Sequence, residues 1–124
     1  SINIYYPGVI LKPSMVISGD KNSKRANYET VAEMTVNCLK EMCPNDLGGI
    51  AFLSGGQSND EATNHLRIMN SGNYDLPWRV TFSYARAIQQ SALNKWSGKD
   101  ENHDEAQAIL SERAKKCSDA SIGN

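Results

Sequence analysis

Apolar and polar positions change period several times along this chain, and each change marks an element. Residues 2–16 are rich in Ile, Tyr, Val and Leu but broken by Pro7 and Gly8, which predicts a turn and then a short strand over 9–12. The polar stretch SGDKNSKR is a loop. Behind Asn27, an N-cap residue type, Val31, Met34, Cys38, Leu39 and Met42 recur mostly at three- and four-residue steps and predict an amphipathic helix to Met42. Pro44 and Gly48-Gly49 end it. The run IAFL over 50–53 is apolar at every position, as in a parallel strand covered on both faces. Ser58-Asn59-Asp60-Glu61 has the S-x-x-E form of a capping box and opens a second helix to about Asn70. A loop of Gly, Asn and Pro leads to a third strand over 79–84 and a helix over 86–96 that stops near Gly98. A last helix over 102–117 opens on another N-x-x-E, with Ala106, Ile109, Leu110 and Ala114 on one face.

Strand and helix therefore alternate three times before the final helix, the signature of βαβ units in a parallel α/β sheet. Two folds share that signature. A doubly wound sheet places a phosphate site at a Gly-rich turn after its first strand, and neither G-x-G-x-x-G nor the Walker pattern is present. A (β/α)8 barrel places functional residues at the carboxyl ends of several strands, where this chain has Lys12, Ser54-Gly55-Gly56 and Ser83 to Arg86. Three units do not close a barrel of eight, so the expected architecture is part of a TIM barrel, or a remnant whose open strand edges need covering.

Composition narrows the classes. A chain of 124 residues with 40% hydrophobic content is one globular domain at most, and a net charge of -1 gives no nucleic-acid tail or basic membrane patch. No apolar run approaches the roughly 18 residues of a membrane span, and no leader pattern follows Ser1, so a soluble chain is expected. Cys38, Cys43 and Cys117 are odd in number and lack C-x-x-C spacing; neither a disulfide framework nor a zinc site is expected, and a reducing cytosol fits best.

Each strand end has two readings. Lys12 is either a strand-end ammonium reaching into water or a Schiff-base lysine, whose desolvation among cations would free the amine to attack a carbonyl. SGGQS is either a loop with a helix cap or an anion site, in which glycines let backbone N–H groups approach a phosphate at a helix N-terminus. Arg86 is a solvated charge or the completing arm of a phosphate clamp. His65 and His103 are assigned to helix surfaces; Trp78, Trp96, Met34, Met42 and Met69 are assigned to packing, and the charge run over 100–105 to a solvated helix start.

The wording of these segments is specific. LKPSMV, IAFLSGGQS and TFSYARAIQQSALNKWSGK resemble the last three strands of class I fructose-1,6-bisphosphate aldolases, which write them LLKPNMV, FLSGGQS and SYGRALQ-x-SAL-x-W-x-GK in the same order. The resemblance covers nearly the whole chain and implies that residues 1–124 are the C-terminal portion of a single (β/α)8 barrel domain, supplying its last three βα units and a C-terminal helix. It implies that Lys12 forms the Schiff base with the ketone of a sugar phosphate, that Ser54 and Gly55 bind the substrate phosphate through hydroxyl and backbone amide, and that Ala85 and Arg86 form the second half of that site. No metal or other cofactor is implied, because the protonated imine is the electron sink. A cytoplasmic, glycolytic homotetramer is implied, with no nucleic-acid or membrane partner.

Departures accompany the matches. Ser14 replaces the family's usual Asn, Tyr6-Pro7-Gly8 stands where Leu-Glu-Gly is common, and Ala85 replaces a frequent Gly while keeping its N–H. The family's acid–base carboxylates, a further lysine and the arginine for the other phosphate lie on earlier strands, and its flexible tail with a terminal Tyr lies beyond SDASIGN. Two readings outside this activity remain at this level: another lysine-dependent barrel aldolase, and a non-catalytic aldolase-derived structural or binding subunit.

Overall fold

The computed structural model describes residues 2–124. Its three strands, β1 (Ile10–Leu11), β2 (Gly49–Phe52) and β3 (Val80–Phe82), form one parallel sheet in the order β1-β2-β3. Ile10 pairs with Gly49, and Ile50 with Val80. Four helices follow the strands: α1 (Tyr28–Met42), α2 (Asn59–Met69), α3 (Arg86–Trp96) and α4 (His103–Ala120). None is long and apolar enough to cross a membrane.

Side-chain alternation decides between the two candidate folds. Ile50, Phe52 and Val80 point to one face of the sheet and are buried with Val36, Leu66 and Met69 from the helices. Ile10, Lys12, Thr81 and Ser83 belong to the other face and are exposed, while Ala51 and Leu53 are half-buried. All the helical cover thus lies on one side, and the strand order does not reverse. Both features belong to consecutive units of a (β/α)8 barrel and neither to a doubly wound sheet, which is covered on both faces. The expectation that the strands are buried on both faces is corrected accordingly: the apolar run IAFL has one face without cover in this chain.

Local chemistry explains the element boundaries. The Asn27 side chain accepts from the Thr30 N–H at 2.8 Å and caps α1. At α2, the Ser58 hydroxyl accepts from the Glu61 N–H and the Glu61 carboxylate from the Ser58 N–H, the reciprocal capping box. The predicted cap of α4 does not form. A 3-10 turn, Asp100–Asn102, runs straight into the helix, so Asn102 already has helical backbone angles and its side chain does not reach the first turn. Gly48, just before β2, is set by close approach: a Cβ there would lie 2.5 Å from the Pro7 carbonyl oxygen and 2.9 Å from that of Val9. Only a residue without a side chain lets the entrance to β1 lie against β2.

Two helical faces are rotated from their predicted positions. In α1 the buried residues are Val31, Ala32, Thr35, Val36 and Leu39, whereas Met34, Cys38 and Met42 are exposed. Thr35 completes that stripe because its hydroxyl accepts from the Val16 N–H at 2.9 Å and satisfies the loop after β1. In α4 the buried residues are Ala106, Arg113, Cys117 and Ala120; Leu110 and Ala114 are exposed. Met69 and Trp78 pack in the core as expected, the Trp78 indole donating to the Pro44 carbonyl at 2.7 Å, but Trp96 is 43% exposed between α3 and α4.

Candidate functional site

The carboxyl ends of the three strands converge at one end of the sheet. Lys12 immediately follows β1, and the ladder continues beyond it, with the Leu53 N–H donating to the Pro13 carbonyl at 3.0 Å. Pro13 has no N–H to extend the pairing, which turns the chain away. This KPS corner lies against the next strand end: a Cβ on Gly55 would stand 3.7 Å from the Ser14 hydroxyl. The Lys12 side chain belongs to the open face and is exposed. The desolvated amine expected from a closed barrel is therefore absent from this chain by itself, for the reason that Ile10, Thr81 and Ser83 beside it also face water.

The second strand end is built rigidly. Gly55 and Gly56 have φ of 57° and 82°, left-handed conformations that side chains disfavour, and they turn the chain directly from β2 toward α2. The Ser54 carbonyl accepts from both the N–H and the side-chain amide of Gln57, at 3.0 and 2.9 Å. The Gln57 side-chain oxygen meets His65 Nδ1 at 2.6 Å. Because the Gln57 amide nitrogen is the donor to Ser54, its oxygen is the acceptor, and His65 Nδ1 carries the proton. His65 is buried, stacked edge-on to Tyr28 at 5.2 Å between ring centroids, which corrects its assignment to the surface. Burial holds its pKa below the usual histidine range, with Arg25 adding to the effect and Glu61 and Glu29 opposing it.

At the third strand end the Ser83 N–H donates to the Phe52 carbonyl at 2.7 Å, and Ala85 serves as the N-cap of α3, its carbonyl accepting from Ile88 and Gln89. Arg86 is the first residue of that helix. A cavity of about 290 Å³ opens between the two helix starts, lined by Ser54, Gly56, Gln57, Ser58, Asn59, Arg86 and Gln90. Ser54 and Arg86 are thus brought to one cavity. Gly55 and Ala85 adjoin it through their neighbours Ser54 and Arg86, and Lys12 lies outside its lining. Two helix N-termini and a guanidinium line the cavity, and both kinds of group favour negative charge. The acidic groups of the first turn of α2 are partly engaged: Glu61 holds Ser58 and forms an ion pair with Arg25 at 3.1 Å, and the backbone hydrogen bond from Ser58 leads in lowering its pKa.

Gln90 and Arg113 escape the reading of individual residues, which assigns His65 to a surface and takes Gln57 and Asn59 only as parts of a loop and a helix cap. The signal for two of them is periodic. His65 falls in the stripe Ala62, His65, Leu66, Met69, and Arg113 in the stripe Ala106, Arg113, Cys117, Ala120, each a polar residue on an otherwise buried helical face.

Known proteins match this chain throughout. The family model described as fructose-bisphosphate aldolase class-I matches residues 1–124. Fructose-bisphosphate aldolase 2 of Caenorhabditis elegans is 45% identical over 121 residues, covering 98% of this chain and 33% of the relative. A probable fructose-bisphosphate aldolase class 1 of Xanthomonas campestris is 51% identical over 124 residues, covering 98% of this chain and 36% of the relative. The fructose-bisphosphate aldolase of Plasmodium falciparum, solved in complex with TRAP and a small-molecule inhibitor, superposes with a TM-score of 0.85 at 42% identity, over 92% of this chain and 33% of that one. The chain spans about a third of the length of these relatives.

Proposed function

The chain belongs to the class I fructose-bisphosphate aldolase family, and from that premise we propose that it is the C-terminal portion of a lysine-dependent aldolase cleaving fructose 1,6-bisphosphate. In this reading the Lys12 amine attacks the C2 ketone, water leaves, and a protonated imine forms. Cleavage of the C3–C4 bond delivers its electron pair into that imine while a carboxylate on an earlier strand takes the C4 hydroxyl proton. Glyceraldehyde 3-phosphate departs and an enamine remains. Protonation at C3 and hydrolysis of the imine release dihydroxyacetone phosphate and restore the amine.

Ser54, Gly55, Ala85 and Arg86 hold the substrate phosphate in this proposal, Ser54 by its hydroxyl, Arg86 by its guanidinium, and Gly55 and Ala85 by backbone N–H. The observation that carries the reading is the cavity shared by Ser54 and Arg86 beside the strand end that bears Lys12. A homotetramer and a cytoplasmic, glycolytic setting belong to the same proposal; curated relatives include both cytosolic and chloroplastic enzymes.

The test is borohydride trapping with dihydroxyacetone phosphate on the intact polypeptide that carries this segment, followed by peptide mapping. The reduced adduct is expected on Lys12 and is lost in Lys12→Met; an adduct that forms elsewhere and spares Lys12 overturns the assignment. The open sheet face favours a second reading for a 124-residue polypeptide acting alone, a non-catalytic structural or binding subunit. Intact mass separates the two, since a natural product of 13.6 kDa supports the subunit and one roughly three times larger, near the size of eight βα units, supports the enzyme.

A further inference from the structure

Arg113 is the one arginine or lysine in α4 that is buried, and its guanidinium spans the two helix starts beside the cavity. Its Nε donates to the Ala87 carbonyl in the first turn of α3 at 3.2 Å. One terminal nitrogen donates to the Asn59 carbonyl at 3.0 Å and the Thr63 hydroxyl at 2.8 Å in α2, and the other lies 3.8 Å from the exposed Asp60 carboxylate. Asn59 lines the cavity, and Ala87 directly follows Arg86, which also lines it. A second link, from the Asn59 side-chain amide to the Ser91 hydroxyl at 2.7 Å, joins the same two helices nearby.

We infer that Arg113 is a positioning residue for phosphate: it fixes the separation of the α2 and α3 starts, and so the distance between Ser54 and Arg86 as two halves of one clamp. The planar guanidinium suits this role because its donors point in fixed directions toward acceptors on two elements, which a lysine ammonium does not reproduce. An anion clamp depends on such spacing, since a misplacement near 1 Å weakens charge-assisted hydrogen bonds sharply. The inference rests on the aldolase reading only for the identity of the phosphorylated ligand.

The experiment measures binding of inorganic phosphate and, separately, borohydride trapping of unphosphorylated dihydroxyacetone on Lys12, in the intact polypeptide carrying this segment. Arg113→Met is expected to weaken phosphate binding about tenfold, and Arg113→Lys to restore little of it. Thr63→Val, which removes one acceptor and keeps the shape, is expected to weaken it about threefold and decides the matter alone if Arg113→Met fails to fold. Trapping of the unphosphorylated ketone is expected to stay at its original rate. Unchanged phosphate affinity, absent phosphate binding in the unsubstituted protein, or equal loss of phosphate and ketone reactivity overturns the inference. Weakened phosphate binding with no adduct on Lys12 in any protein retains the positioning role and overturns the aldolase reading instead.

Discussion

The two faces of the sheet carry the same three strands to opposite ends. On the helix side Phe52 is completely buried, whereas on the other side Ile10 is 63% exposed, although each is a large apolar side chain on a strand. Stability is concentrated where residues meet helices, and the groups with candidate chemistry stand on the open face or at the strand ends. A barrel built of such units separates its tasks by the two-residue period of a strand. Packing on one face is largely made within three units, with Leu11 and Phe82 at its margin still half-buried, but the other face acquires cover only from further strands.

The sharpest way to break this contrast is to truncate one residue on each face. Phe52→Ala is expected to destabilise the fold by about 3–5 kcal/mol, read from the urea midpoint. Ile10→Ala is expected to cost under about 0.5 kcal/mol in the 124-residue chain, as an exposed position should. In a polypeptide whose remaining strands close over that face, the Ile10→Ala cost is expected to rise severalfold; equal costs in both contexts would contradict the barrel arrangement. Thr35→Val comes next on the covered side. It leaves the Val16 N–H without its acceptor and is expected to cost about 2 kcal/mol by the same measurement. Ser58→Ala removes the capping-box hydroxyl at the rim of the cavity and is expected to lower stability by about 1 kcal/mol.

Acid acts more mildly, through groups on the covered side and its rim. His65 has a folded-state pKa below the ordinary histidine value of 6.5, so the unfolded chain binds the proton more readily. Its neutral form is favoured by folding; stability is intact above pH 6.5, falls as pH drops through the interval below it, and levels off once the folded value is passed. Glu61, lowered from 4.5, adds a second loss below pH 4.5 in the same direction. A thermal midpoint that declines between pH 7 and pH 5.5, and declines less in His65→Gln, is the expected pattern.

Element order and the capped helix starts were legible because Asn27, Ser58 and Glu61 act through neighbours in sequence. The strand ends were legible for the same local reason, with Pro13 and Gly55-Gly56 marking where each strand turns. What escaped was set by packing between distant elements. The α1 face turned on Thr35, a polar residue that is buried because Val16 lies across from it, and hydrophobicity alone selected Met34 and Met42 instead. His65 and Arg113 lie in apolar stripes that periodicity marks, but what a polar residue does there depends on its partners, Gln57 in one case and Asn59 with Ala87 in the other, and those lie outside the helix itself. The exposure of Lys12 follows from how much of a closed ring is present, which no local pattern encodes.

Gly48 has an effect at a distance. Its backbone sits so near the carbonyls of Pro7 and Val9 that an alanine methyl group would act as a wedge at the amino end of the sheet, prising β1 from β2. The displacement would travel along a stiff ribbon and emerge at the opposite end as a shift of Lys12 relative to Ser54. A change at a glycine outside the candidate site would then register as a fault in the alignment of amine and phosphate.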